Sequence, residues 1–530
     1  MKSARYCRSV ACLGLRDGIA RQIIGAILGL LACNSISGAF AEAGNTQLPP
    51  SEAKEIRPYR QSQNVPSAVA AIAPLAKPAY PLKASANNRY LVDQNNVPFL
   101  MVGDSPQALI ANLSEADAAT YIDNRQKHGV NTLWVSVLCS FTDVCNDDAT
   151  TFDGIAPFTI AGDLSTPNPV YFQRVDDMIN IAAAKGMAIL LDPIETSKWL
   201  DPLRANGIAK AFAYGEFLGN RYKAFPNIVW MHGNDFQSWR NSSDDALVQA
   251  VARGIRSTDP NHIHTVELNY PTSGSLDDPS WAPLVELDAA YTYCPTYAQV
   301  LTEYNRSDFK PVFMVEANYE FESLANTDGG PPQNLRRQEY WAMLSGAAGQ
   351  LYGSFYTWRF PQEWKANLDT PGVVQLGYMK DLFQPRKWYD LVPDQAHEVV
   401  VAGYDSLSGF IGRFLTRVEN YSAFAAKVSA RIKRISGLGS IPANSYVTAA
   451  RTSDGSLVIA YLPSTRTITV DLSKLAGPMT GGWYDPTSGE YIATDDLPLI
   501  NSGKKEFIPP GRNVAGDGDW VLVLETATAR

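Results

Sequence analysis

Short apolar runs alternate with stretches of helical spacing between residues 84 and 395 of this 530-residue chain. An apolar run of four to eight residues that ends in polar or small residues is typical of a strand buried on both faces. The runs predict eight strands, at residues 99–103, 131–138, 187–191, 226–236, 263–268, 288–293, 311–315 and 350–357. The stretches between them predict helices at residues 114–128, 171–185, 208–224, 244–255 and 335–348.

Eight short strands joined by helical crossovers require parallel pairing, and their total length suits a (β/α)8 barrel, also called a TIM barrel. The α/β alternative is a doubly wound open sheet, which normally carries a glycine-rich phosphate loop after its first strand. That position holds Gly103-Asp104-Ser105-Pro106-Gln107 instead. The pattern therefore favours the barrel.

The pattern changes after residue 394 to short candidate strands separated by turns such as Ser453-Asp454-Gly455. Such spacing is typical of an all-β module and favours a β-sandwich. We predict a barrel domain over residues 83–395, a connecting segment over 396–440 and a β-sandwich domain over 441–530.

The amino terminus has the layout of a secretory signal: basic residues, a short apolar run and a small-x-small ending at Ala41. The apolar run is too short to span a bilayer comfortably. We predict a signal peptide over residues 1–41, which makes the protein secreted or periplasmic. Acylation of Cys33 as a lipoprotein anchor is the less favoured alternative. Residues 42–82 are rich in Ala, Pro and Ser and predict a disordered linker.

The net charge of −9 argues against nucleic acid as the main partner, and no stable membrane span is predicted. Charged residues make up only 19% of the chain while aromatics reach 11%, which suits a protein that handles polar, ring-shaped ligands. The cysteines and histidines lack metal-binding spacing, so we predict neither a metal nor another cofactor. Cys139 and Cys145 flank a short loop and could form a disulfide in an oxidising compartment.

Carboxylates and aromatics recur just past the ends of the predicted strands, which in a parallel barrel meet at the face where chemistry is done. The fourth strand ends in Asn234-Asp235, although a plain Gly-Asn-Asp turn would explain this pair equally well. Glu316 follows four apolar residues of the seventh strand, where a carboxylate is costly without a function. Two carboxyls and nearby aromatics are the equipment for glycoside hydrolysis.

Other polar residues near these strand ends have alternative interpretations. Asp192 and Glu195 compete for the role of general acid, but Pro193 between them suggests a turn that aims at most one inward. We expect Glu267 to orient another group and His232 to pack against the barrel wall.

Five motifs together resemble the apiosidase-like (β/α)8 glycosidases: Gly103-Asp104-Ser105 and residues 129–131, 230–235, 256–262 and 313–318. The resemblance extends over residues 83–525. Members of that family often carry a carboxyl-terminal β-module named for collagen binding.

The resemblance implies a retaining glycosidase with its acid/base on the fourth strand and its nucleophile on the seventh. Asp235 would then be the acid/base, in place of the Glu usual in the wider clan, and Glu316 the nucleophile. Asn234 would hold the sugar hydroxyl next to the anomeric carbon. Three further residues would line the substrate subsite: Asp104, Tyr293 and Trp358.

The expected partner is therefore a carbohydrate, an oligosaccharide or polysaccharide whose side chains are cleaved. Two alternatives stay open: a retaining glycosidase of the same clan acting on a different sugar, and a non-catalytic carbohydrate-binding protein or adhesin. If Asp235 and Glu316 are the catalytic pair, a retaining mechanism predicts carboxyl groups about 5 to 5.5 Å apart, and an inverting mechanism about 6.5 to 9.5 Å.

Overall fold

The computed structural model describes residues 77–526, apart from residue 239 and residues 323–329, 405–439 and 495–497. All of the described residues belong to one compact unit. The predicted signal peptide with Cys33 and most of the predicted linker therefore lie outside the described residues. So does most of the predicted connecting segment.

A mostly parallel sheet of nine strands forms a nearly closed barrel, and a small antiparallel sheet precedes it along the chain. The small sheet consists of β1 (Lys83–Ala84), β2 (Leu91–Val92) and β3 (Pro98–Phe99). The barrel strands are β4 (Met101–Asp104), β5 (Thr132–Ser136), β6 (Ala188–Asp192), β7 (Ile228–Phe236), β8 (His264–Leu268), β9 (Thr272–Ser273), β10 (Asp288–Thr292), β11 (Val312–Glu316) and β12 (Gly349–Tyr352).

The order of strands in the sheet is β8-β7-β6-β5-β4-β12-β11-β10-β9, so the first and last barrel strands, β4 and β12, pair in parallel. The remaining seam lies between β8 and β10 and is bridged by a side chain. The Ser275 hydroxyl donates to the Val266 carbonyl at 2.6 Å and accepts from the Ala289 amide at 2.8 Å. This bridge completes the ring, which confirms the predicted TIM-like barrel.

Nine α-helices occur among the described residues: α1 (Leu109–Asn112), α2 (Glu115–Lys127), α3 (Pro169–Ala184), α4 (Thr196–Tyr222), α5 (Ser242–Thr258), α6 (Thr296–Tyr304), α7 (Pro332–Leu344), α8 (Phe355–Arg359) and α9 (Pro371–Phe383). Local signals set their ends: Ser114 caps α2 by accepting from the Asp117 amide. The left-handed backbone of Gly207 divides α4. The helix predicted at 208–224 is the second half of α4.

The eighth strand is shorter than predicted. β12 ends at Tyr352, whereas the sequence pattern extended it to residue 357. Ser354 interrupts the strand and caps α8, with its side chain accepting from the Tyr356 amide. Trp358 therefore lies on a short helix and not on the strand itself.

The small sheet β1–β3 covers one end of the barrel. Its residues Leu82, Leu91 and Phe99 are buried together with inward-facing residues of the barrel strands. The Tyr80 hydroxyl donates to the Gly186 carbonyl at 2.9 Å, so residues 77–82 pack against the barrel, whereas the predicted linker extended to residue 82.

The carboxyl-terminal region is built of antiparallel strands: β13 (Leu391–Pro393), β14 (Val400–Ala402), β15 (Thr448–Thr452), β16 (Leu457–Leu462), β17 (Ile468–Asp471), β18 (Thr480–Tyr484), β19 (Tyr491–Ala493), β20 (Lys504–Phe507) and β21 (Trp520–Glu525). They form one sheet in the order β13-β15-β16-β21-β18-β19 and another in the order β14-β17-β20. The two sheets share one hydrophobic core, as in a sandwich. β13 and β14 precede residue 441, so the sandwich recruits strands from before its predicted boundary.

Helix α7 holds the sandwich against the barrel through buried polar contacts. Arg336 makes a bidentate ion pair with Asp519, with both N–O distances at 2.8 Å and both side chains almost fully buried. The Arg337 guanidinium donates to the carbonyls of Ile441 and Pro442. Because these charges are desolvated, they need their partners in the other domain.

Among the described residues, none of the helices has the length and apolar composition needed to cross a membrane.

Candidate active site

Three carboxylates converge at the carboxyl ends of three barrel strands. Asp235 comes from β7, Glu267 from β8 and Glu316 from β11. One oxygen from each lies within 4.8 Å of the others. Asp235 is half-buried, whereas Glu267 and Glu316 are buried. Asp235 and Glu316, which the sequence predicted as a pair, thus lie close together, and a third carboxyl lies beside them.

The end of β7 is a left-handed bulge that carries Asp235. Gly233, Asn234 and Asp235 have φ values of 104°, 63° and 59°, a region that residues other than glycine seldom adopt. Strand pairing with β8 shifts register between His232 and Phe236, across this bulge. Such strain at a strand end is common at functional sites, where surrounding contacts maintain it.

Two contacts hold this bulge in place. The Thr196 hydroxyl donates to the Gly233 carbonyl at 2.5 Å, and the Asp235 amide donates to Glu267 Oε2 at 3.1 Å. The backbone of Gly233 also lies so close to β8 that a Cβ atom would come within 2.1 Å of the Glu267 carbonyl oxygen. Only glycine fits there, so the Gly-Asn-Asp sequence belongs to a built site and not to a free turn.

Two phenols hold the Glu316 carboxylate. Tyr293 donates to Oε1 at 2.5 Å and Tyr319 donates to Oε2 at 2.7 Å. The Gln107 amide donates in turn to the Tyr319 hydroxyl at 3.1 Å. Hydrogen bonds from hydroxyl groups favour the ionised form of a carboxylate, so the geometry stabilises a negative charge on Glu316.

Burial and mutual repulsion work against ionising all three carboxyls. Burial and the charge of Asp235 raise the pKa of Glu316, while the two phenols lower it. Burial and the charge of Glu195 raise the pKa of Asp235. Burial, Glu316 and Asp235 raise the pKa of Glu267 well above its ordinary value. Since like charges this close cannot all ionise near neutral pH, the group retains protons.

Asn234 lies where it was predicted, at the end of β7, and its side chain is buried. Its amide nitrogen has no hydrogen-bond partner of normal geometry. The side chain lies beside Asp192, whose pKa burial raises to about 8. Asn234 is thus a buried amide beside a carboxyl, and such an amide can also donate to a ligand hydroxyl.

Asp104, which we expected to line the subsite, has its carboxylate engaged by neighbouring protein groups. Its carboxylate is fully buried, and Oδ2 accepts from Arg125 at 2.5 Å and from Tyr121 at 2.6 Å. Oδ1 accepts from the Ser105 amide at 2.7 Å. Asp104 therefore ties β4 to α2 as a buried ion pair.

Trp358 is half-buried on α8. Its ring packs edge-on against Phe141, with centroids 5.3 Å apart. Phe141 belongs to the loop after β5, where Cys139 and Cys145 form a disulfide. The two aromatic rings and the bridged loop make one wall beyond the carboxyl ends of the strands, in keeping with a sugar-stacking surface.

The two rival acids are engaged in other contacts. Glu195 caps α4: Oε1 accepts from the Ser197 amide at 2.5 Å, and Oε2 accepts from the Ser140 hydroxyl at 2.6 Å. Asp192 accepts from the Ile194 amide at 3.1 Å. His232 lies 2.9 Å from His264 and packs against Trp281, as the wall interpretation predicted. Asp192 and Glu195 therefore have protein partners of their own, and His232 belongs to the barrel wall.

Within the part of the chain that the structure describes, the carboxylates of Asp235, Glu267 and Glu316 are also close enough together to hold a metal ion. Carboxylate oxygens suit hard cations such as Ca²⁺ or Mg²⁺. Both oxygens of Glu316 already accept phenolic hydrogen bonds, and one oxygen of Glu267 accepts an amide. The hydrogen bonds therefore fit a cluster of acids that retains protons better than a cation cage.

Neither Tyr319 nor Gln107 was predicted as a site residue from the sequence, and Glu267 was expected only to orient another group. Tyr319 is three residues beyond Glu316 in a stretch without regular periodicity, so nothing local shows that its hydroxyl turns back to the carboxylate. Gln107 follows β4 and donates to Tyr319, a residue 212 positions later in the chain. The pairing of β4 with β12 closes the barrel and brings these distant segments together.

Comparison with known proteins adds independent findings. A family model described as "Apiosidase-like, catalytic domain" matches residues 85–390. A second model, "Putative collagen-binding domain of a collagenase", matches residues 439–525. No curated protein is similar enough to count as a match.

Solved structures show the same fold. One described as a glycoside hydrolase has a TM-score of 0.69 and 21% identity, covering 85% of this chain and 98% of its own. A glycoside hydrolase family 5 structure from Bacteroides vulgatus has a TM-score of 0.68 and 22% identity, covering 84% and 93%. At these identities the likeness concerns the fold.

Proposed function

The chain belongs to the apiosidase-like family of glycoside hydrolases, and we propose that it cleaves glycosidic bonds with retention of configuration, using Asp235 as acid/base and Glu316 as nucleophile. One observation carries this proposal: oxygens of the two carboxyls lie within 4.8 Å of one another at the carboxyl ends of β7 and β11. Retaining glycosidases hold their two carboxyl groups about 5 to 5.5 Å apart, and inverting ones about 6.5 to 9.5 Å. The short separation favours direct attack by Glu316 over activation of a water.

The hydrogen bonds support this division of roles. Glu316 accepts from two phenols, which stabilise the anion that a nucleophile needs. Asp235 Oδ1 accepts no hydrogen bond from the described residues, so this oxygen is available to protonate the leaving oxygen of a substrate.

In the first step, Glu316 attacks the anomeric carbon while Asp235 transfers its proton to the leaving oxygen, giving a covalent glycosyl ester. In the second step, Asp235 takes a proton from water, the water oxygen attacks the anomeric carbon, and Glu316 leaves as a carboxylate. The left-handed bulge of β7 fixes the position of Asp235 for both steps. The two phenols donate hydrogen bonds to the Glu316 carboxylate when the second step restores its negative charge.

For the substrate, we propose a sugar whose hydroxyl beside the anomeric carbon contacts Asn234. Tyr293 would line the same subsite because it is half-buried and already contacts Glu316. Trp358 would stack on a neighbouring ring beside Phe141. The bond cleaved belongs to a polysaccharide side chain, and we place the enzyme outside the cytoplasm, secreted or periplasmic, with a lipid anchor at Cys33 as the alternative.

A second candidate function is carbohydrate binding without catalysis. The sandwich could bind a glycan, with the barrel as an inactive adhesin. The approach of Asp235 and Glu316 oxygens to within 4.8 Å of one another disfavours this alternative. The remaining alternative is a retaining glycosidase of the same clan that acts on a different sugar.

The test is a screen of aryl glycosides and pectic oligosaccharides, followed by proton NMR of the first sugar released. We expect the released sugar to keep the anomeric configuration of the substrate. A 2-deoxy-2-fluoro glycoside of the active sugar should attach to the peptide containing Glu316. Glu316→Gln should abolish turnover, because an amide cannot serve as the departing carboxylate.

Glu303→Gln is the matched control, since Glu303 is a buried carboxyl on α6 and outside the site. Near-normal turnover by Glu316→Gln would remove Glu316 from the mechanism. Glycan binding without hydrolysis of any substrate would favour the adhesin.

A further inference from the structure

Glu267 is a third buried carboxyl at the proposed catalytic pair, and the proposed mechanism leaves it without a role. It is fully buried at the end of β8. One of its oxygens lies within 4.8 Å of oxygens from both Asp235 and Glu316. A third carboxyl here could repel the charges of the pair or help to position it. The contacts of Glu267 distinguish these two possibilities.

The first contact is to the backbone of the acid/base. Glu267 Oε2 accepts the Asp235 amide at 3.1 Å. That amide belongs to a non-glycine residue with φ of 59°, so it needs a partner that maintains the left-handed turn. Glu267 thus determines where the Asp235 side chain begins, even though it does not reach the bond that breaks.

The second observation concerns Oε1, the other oxygen of the Glu267 carboxyl. Glu267 Oε1 is buried and has no hydrogen-bond partner. The charged groups that act on Glu267 are Glu316, Asp235 and Asp192, all acidic. A charged carboxylate oxygen in that setting is costly, whereas a protonated carboxyl adds no charge to the acidic cluster.

Resting on the proposed function, we propose that Glu267 is a positioning residue that works in its neutral form: it holds the Asp235 amide with one oxygen and keeps a proton on the other. The neutral form limits the negative charge of the site, so that Glu316 can carry it. Burial and the neighbouring acids raise the pKa of Glu267 well above its ordinary value, consistent with this form.

The test compares Glu267→Gln with Glu267→Leu. Glutamine offers an oxygen to the Asp235 amide and a neutral N–H group in place of the O–H, so we expect kcat to fall less than about tenfold. Leucine offers neither, and a misplaced acid/base costs about 100-fold in kcat with KM little changed. Thr265→Val, which loses a buried hydroxyl two residues earlier on the same strand, should leave both constants near wild type.

Two measurements need no substrate and therefore separate this inference from the proposed function. The infrared difference spectrum between ligand-free wild type and Glu267→Gln at pH 7 should contain one protonated carboxyl band. Hydrogen exchange of the Asp235 amide should be slow in wild type and Glu267→Gln and faster in Glu267→Leu.

A spectrum without that band would mean that Glu267 is ionised, which overturns the inference. So would equally low kcat in the Gln and Leu variants, since Glu267 would then transfer its own proton. An Asp235 amide that exchanges equally in all three proteins would remove the positioning contact. If no glycoside is cleaved, the proposed function fails, and the band and the exchange rates still decide the state of Glu267.

Discussion

Removing the Tyr293 hydroxyl should move the acid limb of the pH–rate profile to higher pH. Tyr293 donates to Glu316 Oε1 at 2.5 Å, and Tyr319 donates to Oε2. Both bonds favour the ionised nucleophile and oppose the burial that raises the pKa of Glu316. Tyr293→Phe keeps the ring and removes one of the two donors.

The magnitude follows from the type of bond. A hydrogen bond to a charged group contributes about 1.5 to 3 kcal/mol, and one pKa unit corresponds to about 1.4 kcal/mol. Loss of the Tyr293 donor should therefore raise the pKa of Glu316 by about one to two units. Because Glu316 attacks only when ionised, activity disappears at a higher pH as the solution is acidified, while activity above the limb is less affected.

The assay is kcat/KM against pH with an aryl glycoside that the wild type cleaves, because this ratio reports the free enzyme. Tyr352→Phe is the matched control: Tyr352 makes the same kind of phenol–carboxylate bond, but to Glu320. Its acid limb should coincide with that of the wild type. An unmoved limb in Tyr293→Phe, or an equal shift in both variants, would refute the role given to this bond.

Three further predictions follow from the same contacts. Asp235→Ala should lose about 100- to 10,000-fold in kcat on poor leaving groups but much less on dinitrophenyl glycosides, and added azide should yield a glycosyl azide; equal losses on both substrates would argue against an acid/base role. Arg336→Met leaves the buried Asp519 without its cation and should lower the free energy of unfolding by about 3 to 5 kcal/mol in urea titrations, with kcat retained. Deleting residues 441–530 should lower the thermal midpoint of the barrel by uncovering α7; a folded, stable barrel without activity would contradict this.

The sequence predicted the barrel because each signal for it is local. An apolar run is itself the strand, Ser114 caps its own helix, and the carboxyl end of a parallel strand must lie on the same face as its neighbours. Asp235 and Glu316 could therefore be placed on one face from their position in the chain alone. Asn234 followed from the same reasoning.

The tertiary structure decided which partners these side chains have. Asp104 also follows a strand, yet Arg125, 21 residues later, takes its carboxylate into a buried ion pair. Glu267 required the bulge of β7 to bring the Asp235 amide to it. Trp358 lies on a helix because Ser354 ends the preceding strand early.

The physical reason is the range of the interactions. Hydrophobic periodicity and capping act over a few residues and can be read along the chain, so the sequence by itself determined the strands, most helices and the acidic face. Hydrogen bonds and charge repulsion within the site join β7, β8 and β11, which are far apart in sequence. Their geometry depends on strand register and on a left-handed backbone at Asp235, and only the folded chain establishes these.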